Sequence, residues 1–290
     1  MEKKQTKYPK ISIITPSYNQ GKYIERTIKS VLSQKYPNLE YIIMDGGSTD
    51  TTVSILKKYS RKIVWKSEKD RGQTHAINKG LRLSTGEIIT YLNSDDTYQP
   101  KALEKIASFF IEHPQEKFVY GCGRLIDTKD KKIGLYNNLE EDYHRLFASC
   151  GISQPAAFWR KELLKTVGYF NESFRFTMDY DYWVRVSEKY TLNFLPTIIA
   201  NTRIHKEAKT SEFTHKLHEE ALRVGMSHYG KVHYDWIFTY ADSEYMSKKN
   251  TPAYFRFMVI RSLYYFWRYN HSLPPKKGLK IILSWVKKAA

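Results

Sequence analysis

The sequence predicts an α/β fold, a mostly parallel sheet with helices on both faces, followed by a helical, basic C-terminal extension. Three observations carry this reading. Between residues 10 and 115, short β-type runs alternate with segments of helical apolar spacing, the pattern of consecutive βαβ units. Each of the first four predicted strands ends in a polar motif. The charge is lopsided: 47 Lys and Arg against 30 Asp and Glu give +17, and ten basic but no acidic residues follow Glu244.

Taken in order, Ile11–Thr15 is predicted as a buried strand and 22–34 as a helix with Ile24, Ile28, Val31 and Leu32 on one face. A second strand, Leu39–Met44, runs into the loop Asp45-Gly-Gly-Ser-Thr-Asp50. A helix through Val53, Leu56 and Tyr59 leads to a third strand at Ile63–Trp65. A helix over about 74–83 precedes a fourth strand, Glu87–Leu92, which ends in Asn93-Ser-Asp-Asp96. Asp96 or Thr97, ahead of Pro100 and the helix 101–110, is a candidate N-cap. Residues 118–135 read as a strand turning into a hairpin, 156–159 as a strand, 179–189 as a helix and 192–199 as a strand. From about Ser211 the texture becomes helical, aromatic and basic. The expected division is therefore a domain over 1–210, with halves at about 10–115 and 116–210, and an extension over 211–290.

Composition excludes several classes. With 41% hydrophobic residues, 15% aromatics, 14 Gly and 10 Pro in 290 residues, the chain is neither collagen-like nor disordered. Two cysteines, Cys122 and Cys150, without metal-type spacing, supply neither a disulfide framework nor a cysteine zinc site. The apolar stretch after the basic start is too short for a signal-peptide core, and no eighteen apolar residues run together. The expectation is a protein neither exported nor membrane-spanning.

Open α/β sheets hold ligands at the carboxyl ends of their strands. Those ends here read Thr15-Pro-Ser-Tyr-Asn19, Asp45-Gly-Gly-Ser48, Ser67-Glu-Lys-Asp70 and Asn93-Ser-Asp-Asp96. Adjacent ionised carboxylates repel, so Asp95-Asp96 suits a hard divalent cation, with the helix cap as the ordinary alternative. Asp45 at a strand end would accept from a base N–H or a ribose hydroxyl, unless its loop is only a turn. No G-x-G-x-x-G follows a strand and no G-x-x-x-x-G-K-[ST] occurs, which excludes NAD enzymes and P-loop ATPases.

Together with Ala76-Ile-Asn-Lys-Gly80 and Gly86-Glu-Ile-Ile, these motifs resemble family 2 glycosyltransferases in order and spacing over about 10–210. The resemblance implies the GT-A fold, a Rossmann-like nucleotide-sugar half joined to an acceptor half. It implies a metal-dependent inverting transfer from a nucleotide-diphosphate sugar, usually a UDP-sugar, in cell-surface polysaccharide synthesis. By the same token Pro16, Ser17, Tyr18, Asp45, Asp70, Lys79, Asn93, Ser94 and Asp95 fall at the donor. Asp95, Asp96 and His205 fall at a Mn²⁺ or Mg²⁺ site. The family's DxD motif has Asn93 at its first position here.

In the second half, Phe176-Thr-Met-Asp-Tyr-Asp-Tyr-Trp-Val-Arg185 resembles the family's acidic motif. Asp179 matches the general base, a role that needs a carboxylate in reach of the acceptor hydroxyl. Its ordinary alternative is favourable charge in a first helical turn. Gln154, Asp181 and Trp183 fall on the acceptor side. The tail places Arg256, Arg261 and Arg268 among aromatics and ends in an amphipathic run with Lys287 and Lys288. That pattern suits peripheral attachment to an anionic membrane, on the cytoplasmic face where lipid-linked saccharides would be extended, or else a helix packed on the core. Nucleic acid is not expected, since no recognised nucleic-acid module occurs. The competing functions are a non-catalytic saccharide binder and a basic nucleic-acid or membrane-surface binder.

Overall fold

The structure is a computed structural model that describes residues 8–136, 140–205, 207, 214–245 and 251–289. The chain divides into two compact units: Met1–Asp142 with Gly151–His205, and Tyr143–Cys150 with Lys206–Ala290. The boundary expected at 210 lies outside the described residues. Tyr143–Cys150, expected in the acceptor half, clusters instead with the C-terminal helices.

Among the described residues the first unit is built on nine strands: β1 (Ile11–Ser17), β2 (Leu39–Asp45), β3 (Val64–Ser67), β4 (Ile88–Tyr91), β5 (Thr97–Tyr98), β6 (Phe118–Ile126), β7 (Lys132–Leu135), β8 (Ala157–Arg160) and β9 (Asn193–Arg203). Its helices are α1 (Ile24–Leu32), α2 (Thr52–Tyr59), α3 (Gln73–Leu83), α4 (Ala102–Glu112), α6 (Leu163–Thr166) and α7 (Met178–Ser187). The strand order is β3-β2-β1-β4-β8-β6-β9-β5, with β7 paired to β6. β1 lies parallel to β2 and β4, and β2 parallel to β3, whereas β8 runs antiparallel between β4 and β6. All seven residues of β1 are buried, as expected of a central strand covered on both faces. Ile11, Ile13, Ile24, Ile28, Ile43, Ile88 and Phe110 form the centre of the core. α3 lies so close to the sheet that a Cβ on Gly80 would fall 2.5 Å from the Ile14 side chain.

The expected cap at Asp96 or Thr97 is not formed. Thr97–Tyr98 pairs antiparallel with Ala200–Asn201, and α4 starts after Lys101, at φ 61 and without a side-chain cap. Pairing with a strand a hundred residues away takes the backbone that the cap would have served.

At the edge opposite the strand carboxyl ends, Glu40 ties three segments together. It accepts from Ser12 Oγ (2.5 Å), Thr85 N (2.7 Å) and Thr85 Oγ1 (2.6 Å), and pairs with Lys10 Nζ (3.1 Å). Partial burial pushes its pKa up, but the hydrogen bonds from Ser12, Thr85 and Lys10 outweigh that and bring it from 4.5 to about 2. A carboxyl depressed by folding stabilises the protein above its unfolded value, and the gain is lost as pH falls towards the folded one. Glu40→Gln should therefore cost about 2 kcal/mol at pH 7. The gap to wild type in urea melts should close between pH 4.5 and 2. A gap that stays constant across that window would refute the assignment.

The second unit holds α5 (Tyr143–Leu146), α8 (Thr214–Tyr229), α9 (Tyr234–Glu244), α10 (Pro252–Asn270) and α11 (Lys276–Ala289). Leu222, Ile237, Phe238, Tyr254, Met258, Phe266 and Ile282 form its core. Thr251 caps α10 by accepting from Tyr254 N, with Pro252 in the first turn. No helix among the described residues is long and apolar enough to cross a membrane.

Candidate active site

The carboxyl ends of β1 to β4 meet where the strand order reverses, with β2 and β3 on one side of β1 and β4 on the other. The loops after β1 and β2 are stapled together. Asn19 N donates to Ser48 Oγ (2.7 Å), Thr49 N to Asn19 Oδ1 (2.9 Å), and Gly21 N to Asp50 Oδ2 (2.9 Å). Asp45 ends β2 beside Ser17, its register partner. Its carboxylate accepts from Ser48 N (2.9 Å), Ser48 Oγ (2.5 Å) and Ser67 Oγ (2.6 Å). Asp70 closes over this loop: a Cβ on Gly46 would lie 2.8 Å from Asp70 Oδ2, so the position admits only glycine without a shift. The Tyr18 ring stands 61% exposed beside these groups. Ser17 Oγ, Gln20 Oε1 and Tyr23 Oη are buried and find no hydrogen-bond partner among the described residues. Buried polar atoms left unpaired at a strand end mark a place for a polar ligand.

The loop after β4 is held differently. Arg203, at the end of β9, has a fully buried guanidinium that donates to Asp95 O (2.8 Å), Asp127 O (2.8 Å) and Asp130 Oδ1 (2.5 Å). Its backbone N–H donates to Asp96 Oδ1 (3.0 Å). Two residues on, His205 Nε2 meets Asp95 Oδ2 at 3.0 Å, and the Tyr23 ring packs on the imidazole with centroids 4.8 Å apart. Asp96 is turned inward, 2% exposed. Burial, and then the neighbouring Asp95 charge, push its carboxyl well above the usual carboxylate range despite the hydrogen bonds from Arg203 and Asn93.

Asn93 joins two further elements. It accepts from Gln73 Nε2 (2.7 Å) and donates to Gln154 Oε1 (3.2 Å) and Asp96 Oδ2 (3.3 Å). Gln73 opens α3, and the next residue, Thr74, donates from Oγ1 to Phe174 O (3.1 Å) and Met178 Sδ (2.7 Å). Met178 immediately precedes Asp179. Consecutive residues of α3 thus hold Asn93 on one side and, on the other, the start of α7 that carries Asp179.

The sequence matches Glycosyl transferase family 2 over residues 12–168, from β1 through β8 and beyond. The chain belongs to glycosyl transferase family 2. It is therefore a nucleotide-sugar-dependent glycosyltransferase, and the reading as a non-catalytic saccharide binder gives way to an enzyme. An uncharacterized glycosyltransferase of Rickettsia typhi is 30% identical over 237 residues, covering 77% of this chain and 73% of that one. Among solved structures, residues 1-349 of Staphylococcus aureus TarS in complex with UDP-GlcNAc superpose with a TM-score of 0.65 at 18% identity, covering 97% of this chain and 88% of that TarS fragment. The mannosyltransferase PcManGT of Pyrobaculum calidifontis, in complex with GDP-Man and Mn²⁺, gives 0.58 at 18% identity, with 98% and 86% covered. Both show the same fold, GT-A in the case of TarS.

In this glycosyltransferase the expected residues do not all reach the cleft. Pro16, Ser17, Tyr18, Asp45, Asp70, Asn93, Ser94, Asp95, Asp179 and His205 lie at the strand ends or on the loops and helix start that border them. Lys79 lies on α3 in a close ion pair with Glu68; partial burial and then the Lys66 charge lower its pKa. Its cation is spent on Glu68 rather than offered to a diphosphate. Gln154 is spanned between Asn93 and Tyr91 O (2.8 Å) and is 8% exposed, so it braces the site instead of facing an acceptor. Asp181 pairs with Arg185 (2.9 Å), and Arg185 donates in turn to Val167 O and Tyr169 O. Trp183 is wholly buried among Phe118, Trp159 and Tyr182. Neither Asp181 nor Trp183 can touch an acceptor, because α7 is packed on nearly every side. Asp96 likewise has its oxygens taken inside the protein. The residues without an expected role are Arg203, which carries an array of contacts beside His205, and Gln73, which donates to Asn93.

Proposed function

We propose that the chain transfers a sugar from a UDP-sugar, with inversion, to a saccharide or lipid-linked saccharide acceptor in cell-surface polysaccharide synthesis, in the cytoplasm at the inner face of the membrane. The observation that carries this reading is the approach of Asp95 Oδ2 and His205 Nε2 to 3.0 Å at the end of β4. A carboxylate oxygen and an imidazole nitrogen so placed suit one divalent cation, Mn²⁺ or Mg²⁺. No group of three or more His, Cys, Asp or Glu able to hold a metal occurs among the described residues. Two protein ligands leave coordination positions for diphosphate oxygens and water, as open catalytic sites require. Bound there, the cation would stabilise negative charge on the departing diphosphate. Mn²⁺ in the PcManGT complex and a UDP-sugar in the TarS complex support this assignment.

The protein groups supply the rest. Tyr18 offers an open ring face to the base, and Asp45 and Asp70 flank the nucleoside. Ser17 Oγ and Tyr23 Oη, buried and without a hydrogen-bond partner among the described residues, are placed to receive the donor. Asp179 takes the proton from the acceptor hydroxyl as that oxygen attacks the anomeric carbon and the nucleotide leaves from the opposite side. Isothermal titration of UDP should show binding that strengthens with Mn²⁺. Asp95→Ala should weaken the Mn²⁺-supported binding by at least about tenfold while leaving the metal-free binding in place. Wild-type UDP binding that ignores Mn²⁺ would defeat the metal assignment.

A further inference from the structure

We infer that the outward face of α10, together with the adjoining flank of α11, is a docking surface for an anionic lipid bilayer. On α10 one face is turned in: Tyr254, Met258, Ser262, Tyr265 and Phe266 are buried. The opposite face carries Ile260, Leu263, Tyr264 and Trp267 at helical spacing. All four are exposed, Ile260 to 66% and Trp267 to 67%. On α11, Ile282 is buried and Trp285 packs edge-on against Phe238, with centroids 4.8 Å apart. Leu283 and Val286 remain exposed beside the line of Lys276, Lys280 and Lys287 around the helix. Leu273, in the connection between the two helices, is 77% exposed.

An exposed apolar stripe of this length calls for an occupant, and charge names it. No acidic residue follows Glu244, whereas ten basic ones do. Glu244 neutralises one of them, pairing with Arg261 through two contacts of 3.0 Å. Arg268, by contrast, donates to Tyr264 Oη (3.1 Å) and so lies alongside the apolar stripe. Apolar side chains and a tryptophan flanked by cations, with no anion among them, match the boundary between acyl chains and negatively charged headgroups. A protein partner would need a surface both apolar and acidic, and a second copy of this chain would set these cations against their own kind. The surface acts independently of the transfer reaction, so loss of one leaves the other testable.

The full chain should co-sediment with vesicles containing phosphatidylglycerol and stay in solution with phosphatidylcholine vesicles. Ile260→Ser with Trp267→Ser should lower the bound fraction on anionic vesicles by about tenfold or more, with the far-ultraviolet dichroism unchanged. Lys280→Glu with Lys287→Glu, both exposed positions, should do the same and make the remaining binding less sensitive to added salt than that of wild type. Equal sedimentation with both lipids, or an Ile260→Ser, Trp267→Ser variant that binds like wild type, would overturn the inference. So would a stable wild-type dimer in analytical ultracentrifugation that this pair of substitutions converts to monomer, since the stripe would then be covered by a second copy.

Discussion

Asp179→Asn should lower kcat for sugar transfer by about 10²- to 10⁴-fold, the span that a positioned general base contributes, while the affinity for UDP stays that of wild type. The substitution is chosen because it preserves local structure. Asp179 sits in the first turn of α7, where its Oδ1 accepts from the Tyr180 N–H (2.9 Å), and the asparagine carbonyl can keep that bond. What asparagine cannot do is take a proton. The helix start itself is held by Thr74, through Phe174 O and Met178 Sδ, and further along by Arg185 against Asp181 (2.9 Å). The frame therefore survives the change. The β1–β4 loops proposed to hold the donor and the start of α7 that carries Asp179 are different elements, so a base should reveal itself as a loss confined to turnover. Steady-state kinetics with a UDP-sugar, set beside calorimetric UDP affinity, makes the comparison. A variant within threefold of wild-type kcat would remove Asp179 from the chemistry, and a parallel fall in UDP affinity would give it a donor role instead.

The parts of this architecture written locally were legible. β1, β2 and β4 are short apolar runs closed by polar loops, and the same runs bury almost completely. That Asp45, Asp70 and Asp95 fall on one side of the sheet follows from strand order alone, because parallel neighbours deliver their ends to the same side. What escaped depended on partners distant in sequence. Thr97 reads as a cap until β9 supplies Asn201 opposite it. Trp183 follows two acidic residues and reads as an acceptor contact, yet it is drawn into an aromatic core assembled from β6, β8 and the chain before α7. Tyr143 reads as part of the acceptor half, but its hydroxyl donates to His228 O (3.0 Å) and the Tyr229 hydroxyl donates back to Tyr143 O (2.8 Å). A lone arginine after a strand ordinarily reaches solvent; nothing near Arg203 in the sequence announces the three acceptors waiting for it.

Those acceptors make Arg203 the residue whose loss should cost most outside the chemistry. Arg203→Met keeps the length of the side chain and removes the charge and its donors. Asp95 O and Asp127 O would be left without the bonds that now measure 2.8 Å each, and Asp130 would lose one of its two arginines. Removing one member of a buried charge network costs about 3–5 kcal/mol. Asp130 is about half exposed and keeps Arg26, so the lower end of that range is expected. The effect should not stop at stability. Arg203 fixes the main chain at Asp95, and its own backbone leads in two residues to His205, so both candidate metal ligands rest on one side chain. Loosening them should weaken Mn²⁺-supported UDP binding by about tenfold or more even where the variant remains folded. Arg203→Lys separates the two consequences: it restores a buried cation with a single point of donation but not the fork that spans Asp95 and the hairpin between β6 and β7. Stability should return in part, and metal-supported binding should stay low. If Arg203→Lys recovers both together, the guanidinium is only a counter-charge. If Arg203→Met melts like wild type, the network contributes nothing to the fold.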